Sequence, residues 1–346
     1  MKKSLFTGTG RFYKANLHNH TVVSDGHETP AEIKSIYQAQ NYDVIAYSDH
    51  DIMVPHGDLT DDRFLALTAF EYEFTEDLAE GVPYEFRRTY HCVLIAPRQD
   101  MDEYPWANPS YAWGNALKHI QPYYKGDKPH RYLVEDVNAM IEDAHRLGYI
   151  VTYCHPQWST QHFPDYAGIE NVDYVETYNA GCYVEGYELD ACDYVMNDFL
   201  WMGKRVAPTA SDDGHNFTNY CGGATYIKAD SLNYDDIFAA LKRKDVYASW
   251  GPEIKDIAFD PETGELSIDC SDARDIFLST ERRHSERKHS TSGFPINHAS
   301  FDLKEYLENT VNYSDPSKCF VRLTVVDAAG RKALSRGYFA DELLQK

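Results

Sequence analysis

The residues able to do chemistry gather within 16–51, as His18-Asn19-His20, Ser24-Asp25-Gly26 and Ser48-Asp49-His50-Asp51. Two histidines two apart on an extended segment face one side, because strand side chains alternate with period 2. The same residue types recur beside apolar runs of strand length. Glu71 closes the run 64–70, His91 opens 90–96, His155 closes 149–154, and Ser211-Asp212-Asp213-Gly214-His215 follows 205–210. Imidazole and carboxylate donors without thiolate suit zinc, manganese or iron rather than a cysteine-zinc knot. The candidate ligands are therefore His18, His20, Asp25, His50, Glu71, His91, His155, Asp212 or Asp213, and His215. The chain holds 15 histidines, so number alone decides little. Placement decides: each lies at a predicted strand boundary, on the edge where α/β barrels put their chemistry.

The elements that must position these residues alternate. A helical pattern over 30–40 and a strand over 44–47 follow the first histidines. Strands are predicted at 64–70, 90–96, 149–154, 172–179 and 205–210, and helices at 134–147, 187–202 and 234–241. Such alternation implies mostly parallel strands in a closed or nearly closed barrel. Residues 97–130 show no clean period and read as a long excursion over the barrel mouth, with a short helix near 112–120. The character changes near Trp250-Gly251-Pro252, after which short alternating strands and turn signals predict an antiparallel β-sandwich. The expected domains are 1–250 and 251–346, and the basic run 281–289 reads as a solvated hairpin tip.

Composition bounds the function. The hydrophobic fraction of 43% and charged fraction of 25% are ordinary for a globular protein. No apolar run is long enough to cross a bilayer, so no membrane partner is expected. Residues 1–8 carry two lysines but no apolar stretch, which predicts no signal peptide and a cytoplasmic location by default. The formal charge of −22 argues against stable binding of duplex DNA. The seven cysteines (Cys92, Cys154, Cys182, Cys192, Cys221, Cys270 and Cys319) are scattered without a Cys-x-x-Cys and read as reduced, buried residues.

The whole motif series, from His18-Asn19-His20-Thr21 through Ser48-Asp49-His50-Asp51, Glu71, His91 and Cys154-His155-Pro156 to Ser211-Asp212-Asp213-Gly214-His215, resembles that of the PHP (polymerase and histidinol phosphatase) superfamily. The match runs in order over about the first 250 residues, and the trailing sandwich resembles that of stand-alone PHP phosphoesterases. The resemblance implies a distorted seven-stranded (β/α) barrel holding two or three divalent ions, manganese, iron or zinc. One ion would take His18, His20, Glu71 and the late aspartate, and a second would share Glu71 with His91 and His155. A third would take Asp25, His50 and His215. The family pattern reads Ser-Asp-x-His, whereas this chain has one extra residue. The Asp-x-His spacing selects Asp213, and the position after the serine selects Asp212.

The resemblance implies a phosphoesterase acting on a small phosphorylated molecule, a nucleotide or an oligonucleotide end, through a metal-bridged hydroxide, with Glu71, His50 and Asp213 at the reaction. The same site could instead open an ester, carbamate or amide, or bind metal without turnover. Asp49 and Asp51 are expected to orient imidazoles. Glu176 and Asn179 could line the pocket or serve structural hydrogen bonds. Arg87 and Arg88 read as solvated, with a bidentate phosphate grip as the alternative. His27, His56, His119, His130, His145 and His162 are assigned to the surface or lid.

Overall fold

The computed structural model describes residues 2–291 and 293–344. Its strands, in chain order, are β1 (Lys3–Ser4), β2 (Arg11–Asn16), β3 (Val44–Tyr47), β4 (Leu65–Thr75), β5 (Thr89–Ile95), β6 (Ile150–Tyr153), β7 (Tyr174–Asn179), β8 (Ala207–Ser211), β9 (Ala224–Ala229) and β10 (Val246–Ser249). They continue as β11 (Ile254–Asp260), β12 (Glu265–Ala273), β13 (Asp275–Thr280), β14 (Glu286–His289), β15 (Ile296–Asp302), β16 (Phe320–Val326), β17 (Lys332–Ser335) and β18 (Tyr338–Phe339).

Strands β2 to β8 stand side by side in chain order. The pairs β2/β3, β3/β4, β6/β7 and β7/β8 are parallel. The exception is β5, antiparallel to both β4 and β6. That reversal matters for the site. Because β5 runs backwards, its first residues lie beside the end of β4, so His91 stands directly across from Glu73. The two ends of this run meet at the site edge through main-chain bonds: Asp213 N donates to His18 O (3.0 Å) and His20 N to Gly214 O (3.1 Å). Lower down, the Thr225 hydroxyl of β9 bonds both the N and O of Ala210 on β8, each at 3.1 Å.

The sequence accounts for the local elements. Helix Pro30–Ala39 starts at Thr29, whose side chain accepts from Glu32 N while Glu32 reaches back, with Pro30 in the first turn. Helix Val134–Arg146 packs Val137, Met140, Ile141 and Ala144 inward at helical spacing. The single helix expected over 187–202 is instead broken: Ala180–Val184, a 3-10 turn Glu188–Ala191 and Tyr194–Trp201. The break has a cause, since Asp190 is turned inward to accept from the backbone N of Gln157 and Trp158. Residues 97–130 carry only the 3-10 turn Gly114–Lys118. Their Ala107, Ala112, Ala116 and Tyr124 pack on Val23 and Ile52, beside the histidine motifs.

Beyond β10 two antiparallel sheets enclose one apolar core. One has the order β1-β11-β12-β15. The other, β14-β13-β16-β17, joins β10 and is thereby continuous with the strands that carry the site. Ile257, Leu266, Ile268, Leu323 and Val325 fill the space between them. The N-terminal β1 pairs with β11, so residues from both ends of the chain build this part. No helix among the described residues is long and apolar enough to cross a membrane.

Candidate metal centre

Glu71 is the hub. It is 1% exposed, and its carboxylate lies within 3.3 Å of a nitrogen of five imidazoles. These are His91 (2.8 Å), His20 (3.2 Å), and His18, His50 and His155 (3.3 Å each). Four different strands or their flanking loops supply these rings, and His18, His155 and His91 are each met from behind. Glu176 on β7 accepts from His18 Nδ1 at 2.9 Å. Ser159 contacts His155 Nδ1 at 3.2 Å. On the far side of His91, Nε2 faces Glu73 at 3.4 Å and the Tyr84 hydroxyl at 3.3 Å. Carboxylate or hydroxyl partners of this kind set the tautomer and aim the other nitrogen inward.

Asp213 sits opposite Glu71, its Oδ1 3.0 Å from His20 Nε2 and 3.3 Å from His18 Nε2. A second lobe joins His215 to Asp25 (3.2 Å), with His50 3.7 Å from the same carboxylate and His20 3.4 Å away. Four sets of donors are thus close enough to share an ion: His18/His20/Glu71/Asp213, His20/Asp25/His50/His215, His50/Glu71/His91 and His18/His155/Glu176. Every expected ligand but Asp212 takes part, although His91 and His155 fall in different sets.

Several observations fit these donors to divalent ions. With its Nδ1 proton engaged by Glu176, His18 presents Nε2 to His20 Nε2 at only 3.2 Å and to two carboxylates. Two facing ring nitrogens and two anions leave a lone pair against lone pairs unless a cation or extra protons intervene. Asp213 Oδ1 is buried and receives no hydrogen bond. The closest donor separations, 2.8–3.7 Å, bracket the edge of a coordination tetrahedron with ligands at about 2.0–2.1 Å, roughly 3.3 Å.

The electrostatics follow from burial against charge. Burial alone would keep His18, His20 and His91 neutral, but the facing carboxylates outweigh it and hold all three well above their ordinary value. Burial likewise opposes ionisation of Glu71 and Asp213, yet the surrounding imidazoles hold both well below theirs. His50 goes the other way: burial dominates and lowers it.

The choice between Asp212 and Asp213 is made by the backbone. Asp213 adopts a left-handed φ of 49°, tolerable for aspartate, which turns its side chain into the cluster. Asp212 points behind it. It accepts from the Tyr37 hydroxyl (2.8 Å) and from the N of Cys221, Gly222 and Gly223 (2.6, 3.0 and 2.8 Å), with burial pushing it up to about 6. So held, Asp212 lies outside the four donor sets, whereas Asp213 belongs to one of them. Asp213→Asn is expected to lower metal affinity about 10–100-fold and, in the chelated protein, to lower Tm by less than Asp212→Ala does. Asp212→Ala is expected to cost about 3 kcal/mol of stability by orphaning three backbone donors. Elemental analysis and thermal melts check both; the reverse pattern would restore Asp212.

Other expectations are redrawn. Asp49 accepts from Thr21 N and Oγ1 and from Ser24 N and Oγ, so it pins the 20–25 loop rather than an imidazole. Asp51 is buried with neither oxygen hydrogen-bonded. Arg87 donates to the carbonyls of Glu76 and Val82, and Arg88 pairs with Glu76 and Asp165, so neither faces the cavity. His130 is buried, stacked on Tyr111 at 4.0 Å. Four residues were not anticipated: Glu73, Tyr84, Trp113 and Trp158, all lining the cavity over the cluster. Glu73 was legible, being two residues from Glu71 on one strand face. The aromatic three stand in irregular segments with no periodic signal.

No family model matches the chain, and no curated protein matches it. Solved structures do. A two-domain protein of Bacteroides vulgatus containing a predicted PHP-like metal-dependent phosphoesterase matches at 14% identity and TM-score 0.41, over 96% of this chain and 98% of its own. A presumed metal-dependent phosphoesterase of Bifidobacterium adolescentis matches at 14% and 0.35, over 66% and 96%. An amidohydrolase of Chromobacterium violaceum with bound sulfate and no metal matches at 13% and 0.37, over 59% and 89%. The chain is similar to PHP-like proteins.

Proposed function

We propose that the chain is a metal-dependent hydrolase of the PHP type that cleaves a phosphate ester of a small molecule, a nucleotide or an oligonucleotide end. The observation that carries this reading is the Glu71 carboxylate ringed by five imidazole nitrogens, with Asp213 opposite it. His18, His20, Glu71 and Asp213 would hold one ion, with His50, His91, His155, Asp25 and His215 available for others. Divalent ions bound there supply Lewis acidity for activating water and positive charge for phosphoryl oxygens. The chain's own part is to bury those donors together and aim them at one another. Glu176, Ser159 and Glu73 orient rings from behind, and Tyr84 caps the His91–Glu73 contact.

One observation favours a second reading on the same site, hydrolysis of an ester, carbamate or amide. No Lys or Arg lines the cavity over the cluster among the described residues. The manganese-loaded protein is expected to release phosphate from nucleoside monophosphates faster than it opens naphthyl acetate or a naphthyl carbamate. Phosphate assay and naphthol fluorescence measure the two, and the opposite ranking would transfer the assignment to the second reading.

A further inference from the structure

The cavity over the metal cluster has a volume of about 450 Å³ and is walled by rings. Trp113, carried by the 97–130 excursion, stands 5.5 Å from the His50 ring. On the opposite flank Trp158 packs edge-on to His91 (5.4 Å) and His155 (5.1 Å), with Tyr84 6.2 Å from Trp158. Trp158 is fixed by its Nε1 donating to Glu185 (3.2 Å), and Tyr84 by its hydroxyl on Glu73 (3.0 Å). Trp113 is 44% exposed, so its indole is only partly covered by the protein.

Charge points the same way. The carboxylates lining the cavity are Asp25, Glu71, Glu73 and Asp213, and no cationic side chain joins them among the described residues. Divalent ions held by those donors would supply the positive charge that meets one phosphoryl group. A second anionic group on the substrate would enter an aromatic wall with no cation to meet it and would lose its hydration uncompensated.

We propose that the substrate bears a single phosphate on a planar, uncharged ring system, and that Trp113 is a specificity residue stacking on that leaving group. This rests on the phosphoesterase reading and narrows it to monophosphates of aromatic alcohols or nucleosides, away from oligonucleotide ends. Trp113 reaches the cavity from a segment outside the strand framework, so selectivity is set separately from the metal donors.

The test uses non-hydrolysable probes on the metal-loaded protein. Phenylphosphonate is expected to bind at least about tenfold more tightly than methylphosphonate by calorimetry, the scale of one good ring contact. Trp113→Ala should remove most of that preference without changing methylphosphonate affinity or metal content, and Trp113→Phe should keep it within about threefold. Trp113→Ala should raise KM for 4-nitrophenyl phosphate and not for glycerol 3-phosphate, whereas Trp113→Phe should raise neither by more than about threefold. Equal binding of the two phosphonates, alongside phosphate release from monoesters, would overturn the ring site and leave the phosphoesterase reading intact. A Trp113-dependent phenyl preference without hydrolysis of any phosphomonoester would keep the ring site and defeat that reading. Binding of neither phosphonate would overturn both. Trp113→Ala shifting the two phosphonates equally would likewise exclude its stacking role.

Discussion

Glu71→Ala is expected to abolish turnover, lowering kcat by at least about a thousandfold, since one lost bridge removes several kcal/mol of metal-based stabilisation. The reason is geometric. Glu71 contacts imidazoles from the loop after β2, from the loop after β3, from β5 and from the end of β6. No other carboxylate among the described residues touches all of them. Metal content measured by elemental analysis should fall by at least one equivalent. The fold should survive, because the histidines around the lost carboxylate can give up their protons rather than remain as unpaired buried charges. Circular dichroism of the variant should overlay the parent. His50→Ala should act in the same direction, its ring lying between Glu71 and Asp25. An unchanged kcat in either variant would remove the proposed centre.

Stripping the metal should make stability depend on pH in a defined way. The imidazoles of His18, His20 and His91 are raised above their ordinary 6.5 by the facing carboxylates. Their contribution is complete below pH 6.5 and is lost as pH rises through the folded values. The carboxylates run oppositely: Glu71, Asp213 and Asp25 are depressed below 4.5 or 3.8, so theirs is complete above about 4.5 and is lost as pH falls. His50, lowered by burial, opposes the other histidines modestly. The metal-free protein should therefore melt highest at about pH 4.5–6.5 and progressively lower toward pH 9. Divalent ions take the place of the protons, so loading at pH 7.5 should release protons and flatten the alkaline limb. At a thousandfold excess over Kd the gain is about 4 kcal/mol, or roughly 5–6 °C in Tm for a chain of this size. Scanning fluorimetry at several pH values, with and without chelator, and an indicator dye measure both effects. A chelated protein melting equally at pH 6 and pH 9, with no proton release on adding manganese, would show that the donors do not hold ions.

Most of the candidate site was legible because apolar runs stop abruptly at a histidine or acid, although Glu71 itself lies inside β4, four residues short of its end. His18, His20, His50, Glu71 and His155 announce themselves in that way. Glu176 carries the same signal on β7, but its partner, His18 Nδ1, lies 158 residues away and has no trace in local pattern. Arg87 and Arg88 read as solvated rather than as an anion grip, and their partners are nearby carbonyls and the carboxylates of Glu76 and Asp165.

By itself the sequence determined the donor types, the alternation of strands and helices over the first 250 residues, and the switch to short alternating strands afterwards. These are local properties, written in periodicity and in what stands where an apolar run ends. Only the tertiary structure decided that β5 runs backwards, that Asp213 rather than Asp212 enters the cluster, and that Trp113 and Trp158 wall the cavity. Each of those depends on which distant segments lie side by side, through pairing register, one left-handed backbone torsion and the packing of irregular loops. No local period encodes such choices, because the energies that decide them come from contacts made only after the chain has closed on itself.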